Sequence, residues 1–355
     1  MEADVPVAGE PPVLERRTRA FAETYACPYV PAPGPEPESE PGHGSEPGPG
    51  PEPGPGPELG PGSAPAPSKS PIAALWDGDG ADDPDVEEEW LALPGPAGTR
   101  IRVRILRPAG TDEPLPVVLY LHGLGWMLTD AYAHRRLLAD LVLGADAAVI
   151  VPEYDTPEDA RHPHAVERAH TVARWVAGHG AECRLDGARM AVVGASAGAQ
   201  QAAALTLVAR ERGGPDFRHQ VLVCPVTDAA MDTPSYRRFA EGYFLSRAAM
   251  RGYWEQYAPD PATRTHGAVA PLRAPVSGLR GLPPALVLTA EADVLRDEGE
   301  AYAARLREAD VPVVSIRYQG TIHGFVLFDL LRGTEASRAA RIQVTDTLHA
   351  ALHTA

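Results

Sequence analysis

Cysteine is scarce, with Cys27, Cys183 and Cys224 the three present in a chain of 355 residues. They are far apart and odd in number. They form neither a Cys-x-x-Cys pair nor a Cys/His cluster, so neither a disulfide framework nor a zinc site is suggested. Positive charge is also short: Lys and Arg number 32 against 48 Asp and Glu, a formal net charge of −16. Nucleic acid and anionic membranes both require a basic face, so neither is expected as a partner. No apolar run approaches the roughly 18 residues of a membrane span. The opening residues MEADVPVAGEPP lack the apolar stretch of a secretory leader, and the expectation is a cytoplasmic protein. These counts do not exclude a small-molecule substrate, and they leave homo-oligomerisation open.

What the chain does contain changes character along its length. From Pro31 to about Ser70 the composition collapses to Pro, Gly and Glu. Ordering such a segment would cost chain entropy with almost no apolar surface to bury. A disordered, extended acidic linker is expected over residues 31–71. The N-terminal segment before it, residues 1–30, has room for one short helix in VLERRTRAFAETYA. From residue 72 to the end, apolar runs of two kinds alternate. LPVVLYLHG, AAVIVPEY, MAVVG, HQVLVCPV, PALVLTAEAD and VPVVSIRYQG read as strands. RRLLADLVLG, HAVERAHTVARWVAGHG, SAGAQQAAALTLVARER, DEGEAYAARLREAD and a segment from about Glu335 read as helices, the first two stopping at glycine. Strand–helix alternation predicts an α/β fold, a mostly parallel sheet with helices on both faces. Ligands in such sheets bind beyond the carboxyl ends of the strands. An aromatic-rich stretch, about 231–259, fits no strand and is placed over those ends as a cap.

The strand ending at Val193 meets Gly-Ala-Ser-Ala-Gly and then a helix at once. Gly-x-Ser-x-Gly at a strand–helix junction is the nucleophile-elbow pattern, which projects Ser196 at the ligand edge of the sheet. The pentad alone is equally compatible with a plain turn of small residues. A working serine needs a base and an anion-stabilising pocket. His122, Gly123, Leu124, Gly125 and Trp126 follow a buried strand, where backbone N–H groups can aim at an oxyanion. Asp293 ends a later strand and His323 the next. The chain order Ser, Asp, His, each after a strand, is the one expected of an α/β-hydrolase. Asp297 is the rival carboxylate, read as helix N-terminal charge. His162 and His164 in RHPHA are read as structural or surface residues, and His134 as belonging to a loop or a helix start. Cys224 is read as core within a buried strand. The aromatics Tyr236, Phe239, Tyr243, Phe244, Trp254 and Tyr257 either line a cleft or pack the cap.

With those residues in place, the chain resembles the hormone-sensitive-lipase-like (bacterial family IV) carboxylesterases over about Glu87 to His349. The family's HGGGW box stands here as HGLGW, its GDSAGG box as GASAGA, its DPLRDEG box as DVLRDEG, and its HGF box is intact. The segment SYRRFAEGYFLSRAAMRGYWEQY is also similar to this family, and EYDTPED resembles its Tyr-Arg-Leu-Ala-Pro-Glu segment imperfectly. The resemblance implies an α/β-hydrolase fold with an eight-stranded sheet and a small helical cap. It implies a serine hydrolase acting on small to medium uncharged esters through an acyl-enzyme, with a small-molecule ester as substrate and no cofactor or metal. By position, Ser196 would be the nucleophile, His323 the general base and acid, and Asp293 the residue orienting it. Backbone N–H groups of Leu124, Gly125 and Ala197 would form the oxyanion hole, with Gly123 shaping the loop. The departures are Leu124, Ala195 and Ala199, where the family has Gly, Asp and Gly. None removes a catalytic group; they bear on substrate range. A lactonase, an acyltransferase, a cyclising or dehydrating enzyme, or a non-catalytic binding member on the same scaffold are the alternatives.

Overall fold

The segment Leu115–Leu121 (β3) is buried at every position, as a strand covered on both faces must be. In the computed structural model of the protein, which describes residues 11–27, 83–123, 125–126, 134–154 and 159–354, it lies near the middle of an eight-stranded sheet. The other strands are Val86–Pro94 (β1), Arg100–Pro108 (β2), Ala148–Pro152 (β4), Leu185–Ala195 (β5), His219–Val223 (β6), Ala285–Ala292 (β7) and Val313–Ile322 (β8). The order is β1-β2-β4-β3-β5-β6-β7-β8. The β1–β2 and β2–β4 pairs are antiparallel. Every pair from β4–β3 to β7–β8 is parallel.

Side chains alternate between two cores. Val118 and Tyr120 of β3, Val149 and Val151 of β4, and Ala191 and Val193 of β5 join one cluster. Their neighbours Val117, Leu119, Leu121, Ala148, Ile150, Met190 and Val192 join the other. The helices Arg135–Ala145 (α2) and Glu335–His353 (α9) bury Leu138, Leu141, Val344 and Leu348 on the first side. On the second side His164–His179 (α3), Ala197–Glu211 (α4) and Arg296–Glu308 (α8) bury Val172, Ala202 and Tyr302. The expected doubly covered parallel sheet is therefore observed. No helix among the described residues is long and apolar enough to cross a membrane.

α2 does not stop at Gly144 but runs on to Ala145, with Asp146 in the left-handed conformation as its cap. Gly144 is there for packing, since a Cβ would sit 2.7 Å from the Thr345 side chain of α9. Cys224 is not in a strand: β6 ends at Val223, and Cys224 follows it with φ +46°. The expected linker, residues 31–71, lies outside the described residues.

The stretch 231–259 holds two helices, Pro234–Arg238 (α5) and Arg247–Tyr257 (α6), and a further short one follows at Val276–Leu279 (α7). The N-terminal helix is Arg16–Thr24 (α1). It is docked rather than free. Glu15 N–H donates to the Gly320 carbonyl at 2.9 Å and the Ala336 N–H to Glu15 Oε1 at 3.2 Å. Phe21 stacks on Phe328 and leans on Phe244, with centroids 5.2 and 5.5 Å away.

Candidate active site

The strand ends of β3, β5, β7 and β8 meet in one place. Ser196 sits between β5 and α4 with φ 56° and ψ −121°, the strained geometry of a sharp strand–helix reversal. The glycines around it are dictated by backbone approach. A Cβ on Gly194 would lie 2.1 Å from the Gly198 carbonyl oxygen, and one on Gly198 would lie 1.9 Å from that of Leu121. Each is incompatible with any side chain, so the pentad can fold this way only with both glycines. Gly123, in the loop after β3, passes just as close: its Cβ would be 2.5 Å from the Ala195 oxygen and 3.3 Å from Ser196 Cβ. The loop expected to carry the oxyanion donors therefore runs directly against the elbow. Leu124 itself lies outside the described residues. Gly125 and Trp126 continue the loop at φ +65° and +61°. Ala197 opens α4, where its N–H has no intrahelical acceptor and the helix dipole favours negative charge.

His323 links the other two side chains. Its Nε2 is 3.0 Å from Ser196 Oγ, and its Nδ1 is 2.8 Å from Asp293 Oδ2. Asp293 is 1% exposed, and its Oδ1 accepts the Leu295 N–H at 3.0 Å. A carboxylate can only accept, so Nδ1 carries the proton and Nε2 is left as the acceptor for the serine hydroxyl. The three residues singled out at three strand ends are thus brought into one relay. Asp297 is elsewhere. One of its oxygens accepts the Ser235 N–H of α5 at 2.7 Å, and the other meets Arg296 at 2.8 Å, so it ties α8 to the cap.

Other residues of the site carried weaker signals or none. Cys224 is buried, with its sulfur, a carboxylate oxygen of Asp293 and a ring nitrogen of His323 all within 4.8 Å of one another. Burial pushes its thiol pKa well up. Among the described residues this is the group of three donors close enough for a metal ion, but two of its members are already bonded to each other in the relay. Cys27, from the N-terminal segment, places its sulfur 3.3 Å from Tyr253 Oη on α6, and burial pushes its thiol up to about 11. Tyr253 in turn covers Gly125, whose added Cβ would lie 2.6 Å from the ring. His122 is buried and its pKa is lowered to about 4, chiefly by desolvation, so it stays neutral near pH 7. His134 stands at the N-cap position of α2, as expected of a helix start, and its Nδ1 is 2.8 Å from Tyr120 Oη. His162 is half-buried beside Tyr257, and His164 is exposed at the start of α3. Of the cap aromatics, Tyr236, Phe239, Phe244, Trp254 and Tyr257 are core residues, and Tyr243 is partly exposed.

This fold and this relay define an α/β-hydrolase with a serine at its elbow. Residues 118–327 match the family described as the alpha/beta hydrolase fold. The chain is 35% identical over 251 residues to the ethyl acetate hydrolase of Pseudomonas putida, covering 69% of this chain and 77% of that protein. It is 34% identical over 244 residues to the carboxylesterase NlhH of Mycobacterium tuberculosis, covering 68% and 76%. A thermostable esterase from Pseudomonas putida, solved as a crystal structure, superposes with a TM-score of 0.75 at 41% identity, covering 79% of this chain and 87% of that one. The chain belongs to the alpha/beta hydrolase family, in its hormone-sensitive-lipase-like branch.

Proposed function

We propose that the protein is a serine carboxylic-ester hydrolase that works through an acyl-enzyme on Ser196. The observation that carries the proposal is the unbroken chain from Asp293 Oδ2 to His323 Nδ1 at 2.8 Å and from His323 Nε2 to Ser196 Oγ at 3.0 Å. Ser196 Oγ adds to the ester carbonyl carbon while His323 Nε2 takes its proton. Asp293 accepts from Nδ1 throughout and holds the imidazolium that forms. The oxyanion is received by backbone N–H groups of Leu124, Gly125 and Ala197, with Gly123 letting the loop approach. His323 then returns its proton to the departing alcohol. A water, deprotonated in turn by His323, releases the acid and restores Ser196. The named esterase and ethyl acetate hydrolase relatives support small to medium uncharged esters as substrates.

The test is hydrolysis of p-nitrophenyl butyrate by wild type and by Ser196→Ala. Loss of the nucleophile costs about 10⁶ in kcat in a comparable triad, so turnover should fall to background with the fold unchanged. Residual turnover within about tenfold of wild type is far more than such a loss allows, and would overturn the assignment of the nucleophile.

A further inference from the structure

The helix that follows Ser196, α4, carries two adjacent amides, Gln200 and Gln201, in an otherwise small and apolar run. Both are fully buried. A primary amide has two donors and a carbonyl acceptor, and burying it is costly unless these are used. Gln200 uses its acceptor and its donors. Its Oε1 accepts the indole N–H of Trp126 at 3.1 Å. Its Nε2 donates to the carbonyls of Ala268 and Val269, at 3.2 and 3.0 Å, which fixes the amide's orientation. Trp126 is 2% exposed and stacks flat on Tyr257, with centroids 4.2 Å apart and planes within 9°. Gln201 serves the other end of the same loop. Its Oε1 accepts the Tyr154 hydroxyl, and the Tyr154 ring packs edge-on against His122 with centroids 4.7 Å apart.

We infer that Gln200 is a positioning residue for the oxyanion loop, acting through the Trp126 indole, with Gln201 holding the loop's first residue through Tyr154. The loop needs such a hold. Gly125 and Trp126 both lie at positive φ, a conformation costly for tryptophan that persists only where the surroundings enforce it. The bond to Gln200 ties that strained turn to the helix that Ala197 opens and that directly follows Ser196. Nucleophile and oxyanion donors are then referenced to one rigid element, and their separation is fixed before substrate arrives. The inference rests on the acyl-transfer reading of Ser196.

The experiment compares wild type with Gln200→Met, Trp126→Phe and the double variant. W126F keeps the aromatic stack on Tyr257 and deletes the N–H; Q200M keeps side-chain bulk and deletes the acceptor. Each is assayed for p-nitrophenyl butyrate turnover, for thermal midpoint, and for affinity toward an alkyl trifluoromethyl ketone and its methyl ketone counterpart. Ser196 adds to the trifluoromethyl ketone and places its oxygen as an oxyanion, whereas the methyl ketone reports ground-state binding. Misplacing a catalytic group by about 1 Å costs on the order of 100-fold. The expected result is a fall of about 10- to 100-fold in kcat for all three variants. KM and methyl ketone affinity should hold, trifluoromethyl ketone affinity should fall by the same factor, and the double variant should be no worse than either single one. A kcat within about threefold of wild type in W126F, or a fall without loss of trifluoromethyl ketone affinity, would overturn the inference while leaving the reading of Ser196 in place. If Q200M does not fold, W126F decides alone. A wild-type protein that neither cleaves the ester nor binds the trifluoromethyl ketone would overturn both.

Discussion

Ser196, Asp293 and His323 were each legible because each is fixed by a short local pattern at a strand end. What no local pattern could show is contact across the sheet. Cys224 is expected in the core and is buried, yet its sulfur lies within 4.8 Å of donor atoms of Asp293 and His323, because the strand ends at Val223, three residues before its apolar run does. Gln200 and Gln201 did leave a signal, two amides inside an alanine-rich helix, but their partners are 74 and 47 residues away. The choice between the two aspartates gives a direct test at this scale. Asp293→Asn should cost about 10⁴ in kcat, since its amide no longer enforces the productive imidazole tautomer. Asp297→Asn should cost little of that, because Asp297 bonds Ser235 and Arg296 and not His323. Equal losses in steady-state kinetics would contradict the relay.

Periodicity and punctuation specify the elements where the two agree; where they do not, tertiary packing decides. Gly144 reads as a stop signal, but α2 runs past it because the glycine lets α9 approach at Thr345. The N-terminal helix is visible in its local sequence; its docking through Glu15 and Phe21 is not, since its partners lie about 300 residues on. Glu298 shows the same dependence at the junction of α8 with the loop after β6. It is fully buried and accepts the N–H groups of Thr227 at 2.6 Å and Asp228 at 3.2 Å. Burial pushes its carboxyl well above its ordinary 4.5. A raised carboxyl pKa means stability that is full below 4.5 and is lost as pH rises toward the folded value. Glu298→Gln keeps the acceptor and removes the titration. The thermal midpoint of E298Q should therefore gain on wild type between pH 4.5 and 8, and a widening deficit would contradict the assignment. For the oxyanion loop, the branched side chain of Leu124 is expected to narrow the space beside the reacting carbonyl. Leu124→Gly should raise the ratio of tertiary- to primary-alcohol ester kcat/KM, and should lower the primary rate by less than the roughly 10²–10³ lost with a donor. An unchanged ratio would show that Leu124 does not face the substrate.

For the whole molecule, the alternation of strands and helices was enough to give the doubly covered sheet, because each strand from β3 to β5 buries both of its faces. Its response to acid follows from what that packing buries. Desolvation lowers His122 to about 4 and His134 to about 3, with the Arg104 charge adding to both. A histidine held neutral in the fold contributes stability that is full above its ordinary 6.5 and is lost as pH falls toward the folded value. Relative to His122→Asn, wild type should lose thermal midpoint progressively from pH 6.5 to about 4, while Glu298 acts in the opposite sense and is common to both proteins. A difference between the two proteins that stays constant across the window would contradict the buried neutral histidine. The central claim, that the strand ends of this sheet assemble one activated serine, is met most directly by intact mass after incubation with diethyl p-nitrophenyl phosphate. The account predicts a single diethylphosphoryl adduct on wild type, located at Ser196, with none on Ser196→Ala and markedly slower formation on Asp293→Asn. An unmodified wild type, or an adduct that persists on Ser196→Ala, would contradict it.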